Sequence, residues 1–301
     1  MADVFVMGSI NQDFVLEVER RPKPGETVTD AVLSTHNGGK GANQAAAAAL
    51  LGASVIFLGR VGDDGFGGPL VEALREKGVD TGLTEEAAGV STGTAFITVT
   101  ADGENAITVA PGANRSLAPE AVDAAREDIR GSAVLVAQME IPRETVVRAA
   151  EVTGDVGTRM VLNLAPTFRV PRAVLERLDP LVVNEHEAAF LLGGEVAGVD
   201  GALRAAMDLL SLGPRSAVVT VGAEGAVFAE GEAKGQVPAP KAPVVDTTGA
   251  GDAFVGALAF RLARGDSLEE AVGYAARAGA AAVTKAGAQG ALPTPDVLEA
   301  M

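Results

Sequence analysis

Short apolar runs at residues 4–7, 55–58, 134–136, 160–162, 181–183 and 217–221 punctuate the chain. They are nearly continuous in Val, Leu, Ile and Ala, the pattern of strands covered on both faces. Between them, residues 69–77, 119–129, 143–152, 185–192 and 201–210 repeat apolar positions at helical spacing. This alternation predicts an α/β fold with a mainly parallel central sheet covered on both sides. Two long Ala-rich helices, at about 249–264 and 268–284, close the last third.

Two stretches break the rhythm. Residues 14–37 mix alternating and polar positions around Pro22, Pro24 and Gly25. Residues 92–110 read as a hairpin, with strands at 94–100 and 105–109 and a turn at Ala101-Asp102-Gly103. They make either a small sheet projecting from the main body or two surface loops with local hairpins. No repeat, linker or low-complexity tail divides the chain, so 1–301 reads as one domain carrying both insertions.

Composition narrows the picture. Across 301 residues with no Trp, the core must come from Ala, Val, Leu and Gly, which suits close helix-on-sheet packing. A net charge of −16 argues against a nucleic-acid or anionic-membrane partner. An anionic ligand would need a local cradle. With no Cys, thiolate chemistry is excluded, and with only His36 and His186 a multi-histidine metal site is not expected. No apolar run approaches the roughly 20 residues of a spanning helix, and the first residues lack a leader pattern, so a cytoplasmic location is expected.

Candidate chemistry lies in five segments. Val245-Asp246-Thr247-Thr248-Gly249-Ala250-Gly251-Asp252-Ala253-Phe254 joins small flexible residues to a helix start, where unpaired N–H groups and the dipole favour phosphate. Asp252 at that turn makes sense if it takes a proton from an attacking hydroxyl. In Gly8-Ser9-Ile10-Asn11-Gln12-Asp13, an extended chain points Asn11 and Asp13 the same way, able to bracket vicinal hydroxyls; an Asx-type turn is the alternative. Asn37-Gly38-Gly39-Lys40-Gly41-Ala42-Asn43-Gln44-Ala45 puts Lys40 and Asn43 on one face of a helical first turn, and is either a ligand loop or a Gly-rich turn with a solvated Lys. It lacks the Ser or Thr of a Walker-type phosphate loop. Asn184-Glu185-His186-Glu187 has capping-box spacing, and Asn184 and Glu187 are also candidates to face a nucleotide and its Mg²⁺. Thr220-Val221-Gly222-Ala223-Glu224-Gly225 ends a strand in a Gly-flanked turn, which either simply links two strands or lets a nucleotide's ribose or phosphates pass over it. Glu140, after the 134–136 run, is either a crevice residue or a solvated carboxylate.

Taken together, these segments resemble the ribokinase family of sugar kinases, the PfkB group. Gly38-Gly39-Lys40-Gly41-Ala42-Asn43-Gln44 and Asp246-Thr247-Thr248-Gly249-Ala250-Gly251-Asp252 are similar to its two diagnostic motifs. Gly8-Ser9-Ile10-Asn11 with Asp13, Pro24-Gly25-Glu26-Thr27, Gly112-Ala113-Asn114 and Gly287-Ala288-Gln289 are similar to segments of its ribose-phosphorylating members. The resemblance implies a three-layer α/β/α sandwich with a β-sheet lid, and ATP-dependent phosphorylation of D-ribose at its 5-hydroxyl. It implies sugar binding by Asn11, Asp13, Gly39, Lys40, Asn43 and Glu140, with Asp252 as catalytic base and Gly249, Ala250 and Gly251 as anion hole. On the nucleotide side it implies Asn184, Thr220, Gly222, Gly225 and Gly251, with Glu187 near Mg²⁺ through water. It further implies a K⁺ site at Asp246, Thr248, Ala282, Lys285, Gly287 and Ala291, the last standing where the family often has Ser. A homodimer through the lid is also implied.

Three other readings fit parts of the pattern. Another acceptor is one: deoxyribose, fructose, a nucleoside or a keto-deoxy sugar acid. No Arg lies near Asn11 and Asp13 in the chain, which favours a neutral polyol. A non-catalytic sugar- or nucleotide-binding regulator is opposed by Asp252, Lys40 and the Gly249–Gly251 turn. A dinucleotide oxidoreductase lacks its Gly-x-Gly-x-x-Gly after the first strand.

Overall fold

Residues 2–301 are described by a computed structural model. Its strands are β1 (Val4–Met7), β2 (Asn11–Val18), β3 (Val32–Gly38), β4 (Val55–Gly62), β5 (Val79–Ala87), β6 (Gly93–Thr100), β7 (Asn105–Ala110), β8 (Val134–Ala137), β9 (Arg159–Asn163), β10 (Leu178–Asn184), β11 (Ser216–Thr220), β12 (Ala226–Glu230) and β13 (Ala233–Val237). Its helices are α1 (Lys40–Leu50), α2 (Gly67–Glu76), α3 (Pro119–Ala124), α4 (Arg126–Arg130), α5 (Arg143–Val156), α6 (Arg172–Leu175), α7 (Glu185–Leu192), α8 (Gly198–Leu210), α9 (Ala250–Ala263), α10 (Leu268–Ala282) and α11 (Pro295–Glu299).

Nine strands build the central sheet in the order β13-β12-β11-β10-β9-β8-β1-β4-β5. All strands from β11 through β5 run parallel; β12 and β13 turn antiparallel at one edge. Successive side chains leave a strand on opposite faces, so β1 feeds two cores. Val4 and Val6 join α1, α2, α9, α10 and α11 on one face. Phe5 and Met7 join α3 through α8 on the other. This is the three-layer arrangement expected from the uninterrupted apolar runs.

The second sheet has the order β3-β2-β6-β7. Its outer pairs are antiparallel, but β2 and β6 are parallel, because β2 is entered from β1 and β6 from β5. The two irregular stretches are thus one mixed sheet and not separate loops. It begins at Asn11, earlier than the 14–37 boundary suggested, since pairing with Gly93 and Gly38 starts there.

Other expectations shift at their edges. The expected helix over 119–129 is two short helices, α3 and α4, broken at Ala125. Strand β5 gave no apolar run because it is an edge strand, alternating buried and exposed positions in Val79–Ala87. Strand β12 follows the turn at Gly222–Gly225 and pairs antiparallel with β11, and the largely exposed β13 closes that edge without an apolar run.

Two features position the site. Strand β1 lies between β8 and β4, so the chain runs to one side through β4 and β5 and to the other from β8 onward. Ligand crevices open beyond the carboxyl ends of strands at such a reversal. Helices α1 and α9 also pack unusually close: a Cβ on Gly256 would lie 2.6 Å from the Gln44 carbonyl oxygen and 2.6 Å from the Ala47 Cβ. That approach brings the first turns of the two helices together. Among the described residues, no helix is long and apolar enough to cross a membrane.

Candidate active site

The carboxyl ends of five parallel strands supply the crevice: Ser9 follows β1, Gln138 and Glu140 follow β8, and Asn163, Asn184 and Thr220 end β9, β10 and β11. Ser9 donates its hydroxyl proton to Glu140 Oε2 at 2.5 Å, which also accepts from the Lys40 backbone N–H at 3.1 Å. Glu140 is therefore fixed at the start of α1 and is not a solvated loop carboxylate.

Asn11 and Asp13 are buried on the same face of β2, as an extended chain requires. Asn11 Oδ1 accepts from Asn114 Nδ2 at 2.7 Å, which leaves the Asn11 amide nitrogen available. Asn114 is itself locked, its Oδ1 accepting the Ile10 N–H at 3.0 Å. Asp13 Oδ1 is buried with no hydrogen-bond partner. Burial, then the charges of Glu140 and Asp252, push its pKa up to about 7, against the opposing pull of Lys40. Gly39 is the N-cap residue of α1, and Lys40 its first residue. The Lys40 ammonium is held charged by Asp252 first, against its own burial, with Glu140, Glu187 and Asp13 adding to the effect. The dipole penalty for a Lys at this position is thus outweighed by four carboxylates.

A cleft of about 460 Å³ is lined by Asn11, Asn114 and Glu140, and also by Arg115, Arg143 and Phe168. Arg thus stands on the cleft that Asn11 lines, although none is near Asn11 in the chain; Asp13 does not line this cleft. Arg115 and Arg143 are more than 100 residues away in sequence, and the fold delivers them to the same cleft.

Asp252 is buried in the first turn of α9. Its Oδ2 accepts from Asn43 Nδ2 at 2.9 Å and its Oδ1 from Gln44 Nε2 at 2.9 Å. Gly249 caps the helix at φ 78°, a left-handed conformation that other residues resist. Ala250 N–H turns back to the Thr247 carbonyl, while the N–H groups of Gly249, Gly251 and Asp252 donate to nothing among the described residues. These free amides at a helix N-terminus form an anion cradle next to a carboxylate.

A second cavity, about 210 Å³, is lined by Lys40, Asn163, Asn184, Glu187, Thr220, Thr247, Gly249, Gly251 and Asp252. Asn184 and Glu187 form the capping box that their spacing suggested: Asn184 Oδ1 accepts from the Glu187 N–H at 2.9 Å, and Glu187 Oε2 from the Asn184 N–H at 2.8 Å. Burial raises the Glu187 pKa, with the Asn184 N–H and then Lys40 opposing. His186 is exposed, as expected. Gly222 opens a short 3₁₀ turn between β11 and β12, and Gly225 follows it. Neither lines the cavity, and at Gly225 a Cβ would lie 2.1 Å from the Val237 carbonyl oxygen, so packing alone requires glycine there.

Asp246 lies behind the cradle. Its Oδ1 accepts from the Thr248 N–H at 2.9 Å and hydroxyl at 2.7 Å, and its Oδ2 from the Gly287 N–H at 2.8 Å. This carboxylate ties the Gly249 turn to the segment after α10. The buried residues Gly287 and Ala291 have carbonyls that accept no hydrogen bond from the described residues. Ala282 ends α10, and Lys285 is exposed. No cluster of three or more His, Cys, Asp or Glu side chains suited to a metal occurs among the described residues. A cation here would rest chiefly on backbone oxygen, which suits a hard ion.

Sequence reading assigned no role to Ser9, Gln44, Asn114, Gln138 or Asn163. Gln44 was the most accessible of these, four residues from Lys40 and on the same helical face. The others meet only through long-range packing.

The sequence profile of the pfkB family carbohydrate kinases matches residues 1–295. The chain is 37% identical over 299 residues to the ribokinase of Bacillus subtilis, covering 99% of each. It is 36% identical over 293 residues to the deoxyribokinase of Salmonella typhi, covering 97% of this chain and 96% of that one. The solved structure of Arabidopsis thaliana ribokinase complexed with ribose and ATP superposes with a TM-score of 0.92 at 33% identity, over 99% of this chain and 98% of that one. The chain belongs to the pfkB family of carbohydrate kinases and is a sugar kinase of the ribokinase type.

Proposed function

We propose that this protein transfers the γ-phosphoryl group of ATP to the 5-hydroxyl of D-ribose. The observation that carries the reading is the pairing of Asp252 with the free amides of Gly249 and Gly251 on the wall of one cavity. Phosphoryl transfer needs little beyond positioning and charge stabilisation. Asp252 takes the proton of the 5-hydroxyl as that oxygen attacks phosphorus in line, and the bond to the leaving ADP oxygen breaks. The N–H groups of the Gly249, Ala250 and Gly251 turn hold charge growing on the transferring group. Asn11, Asp13, Gly39, Lys40, Asn43 and Glu140 hold the sugar. Asp13 supports this with an unpartnered acceptor, and Asn11 with a free donor.

The nucleotide lies along Asn184, Thr220 and the Gly222–Gly225 turn. Glu187 uses one oxygen in its capping box and leaves the other for water around Mg²⁺, a donor set that suits this ion. Mg²⁺ would supply charge neutralisation on the phosphates. K⁺ would sit against Asp246, Thr248 and the carbonyls near Ala282, Lys285, Gly287 and Ala291; the unpaired carbonyls of Gly287 and Ala291 support this. The small sheet acts as a lid that excludes water, the competing acceptor, and pairs with a second copy to give a homodimer.

Arg115 and Arg143 favour one second reading, an acceptor carrying an anionic group such as a keto-deoxy sugar acid. A coupled ADP-release screen over ribose, deoxyribose, fructose, nucleosides and sugar acids, with and without K⁺, separates them. Ribose giving the highest kcat/KM supports the main reading. A sugar acid exceeding it by tenfold or more would overturn it.

A further inference from the structure

Asp252 is oriented by two fully buried amides, Gln44 and behind it Gln138, that line neither cavity. Gln44 is fully buried, and its Nε2 donates to Asp252 Oδ1 at 2.9 Å and to Asn163 Oδ1 at 3.1 Å. Gln44 Oε1 in turn accepts from Gln138 Nε2 at 2.7 Å, and Gln138 is also fully buried. An ionised carboxylate only accepts hydrogen bonds, so the nitrogen of Gln44 must face Asp252. Its oxygen must then face Gln138, whose nitrogen must face back. The polarity of the whole chain is set by the carboxylate at its end.

The chain ends at a cost. Gln138 Oε1 is buried and unpartnered. It points at Gly8, where a Cβ would lie 2.0 Å away. An unpaired buried acceptor is unfavourable, and the amides could be replaced by apolar side chains of similar volume if packing were their only task.

We propose that Gln44, braced by Gln138 and Asn163, is a positioning residue that holds the Asp252 carboxylate in the orientation from which it takes the acceptor's proton. Asn43 fixes Oδ2 of Asp252 and Gln44 fixes Oδ1, so together they set the plane of the carboxylate. Gln44 lines neither cavity, so it acts through Asp252 and not on the substrates. This inference rests on the reading of Asp252 as the base.

The test is a double-mutant cycle in the full-length protein, with ADP release measured at saturating ribose and ATP. Gln44→Met removes the donor at nearly constant volume. Loss of a hydrogen bond to a charged group predicts a kcat lower by roughly 10- to 100-fold, with KM for both substrates within about twofold. In an Asp252→Ala background there is no carboxylate to orient, so Gln44→Met should lower the residual rate by less than about threefold. Equal fold losses in the two backgrounds, or a rise in KM with kcat unchanged, would overturn the proposal. Should Gln44→Met fail to fold by circular dichroism, Gln138→Leu decides alone: it touches Gln44 but not Asp252. A kcat loss of roughly 3- to 10-fold at constant KM is then expected, and unchanged kcat refutes the brace. An Asp252→Ala variant that retains wild-type kcat would sink the assignment of the base itself, which is a separate result.

Discussion

Asp13 and Asp252 are both buried in the crevice, and the structure treats them in opposite ways. Asp252 is met by two amide donors, whereas Asp13 keeps an unpartnered oxygen and a pKa pushed up to about 7. A raised carboxyl pKa means the folded state binds more protons than the unfolded chain between the ordinary aspartate value of 3.8 and about 7. Stability from this group therefore falls as pH rises through that window. Asp13→Asn should raise Tm at pH 8, and by less at pH 5, in thermal melts of the free protein. Sugar hydroxyls donating to Asp13 prefer its charged form, so ribose should bind up to roughly tenfold more tightly at pH 8 than at pH 6. Calorimetry with Asp13→Asn should show that dependence flattened; an unchanged slope would remove Asp13 from the sugar site. Asn11, Asp13, Lys40 and Asp252 were legible in sequence because their motifs lie at strand ends and helix starts. Gln138 and Asn163 were not, because single polar residues after buried strands acquire meaning only when β8 and β9 are set beside β1. Arg115 and Arg143 give no signal for the same reason: they are distant from Asn11 along the chain and reach its cleft only in the fold.

At the scale of elements, the start of α7 does two jobs. The Asn184–Glu187 capping box closes the helix, and the same residues line the smaller cavity. The jobs separate by substitution. Asn184→Ala removes the cap and should cost about 1 kcal/mol in denaturant unfolding. Glu187→Gln keeps an acceptor for the Asn184 N–H and should cost less stability than the loss of the cap. It should nonetheless raise the Mg²⁺ concentration needed for half-maximal activity; an unaltered Mg²⁺ titration would confine Glu187 to capping. The caps and the parallel strands were readable because each follows from local pattern. The edge strands β5 and β13 were not, since half-exposed strands lack the continuous apolar run that marks β1 or β8. The break between α3 and α4 at Ala125 carries no Gly or Pro signal, so the apolar pattern ran across it.

For the whole molecule, a charge of −16 would repel ATP and sugar phosphates alike, yet Lys40 and the α9 amides offer a local counterweight. The small sheet leaves Leu33, Phe96, Ile107 and Val109 exposed, along with the free edges of β3 and β7. Exposed apolar positions on an unpaired sheet call for a covering partner, and a second copy of the chain is the occupant proposed here. Light scattering at micromolar concentration should give twice the mass of one chain, and Leu33→Asp with Ile107→Asp should halve it; a monomeric parent would contradict the dimer. The central claim concerns Asp252. The most direct measurement is ribose-dependent ADP formation by the parent protein and by Asp252→Asn, with folding checked by circular dichroism. General-base catalysis predicts a kcat at least about 100-fold lower in the folded variant, against ribose-stimulated turnover in the parent. Turnover in Asp252→Asn within about threefold of the parent, or ADP release indifferent to ribose, would contradict it.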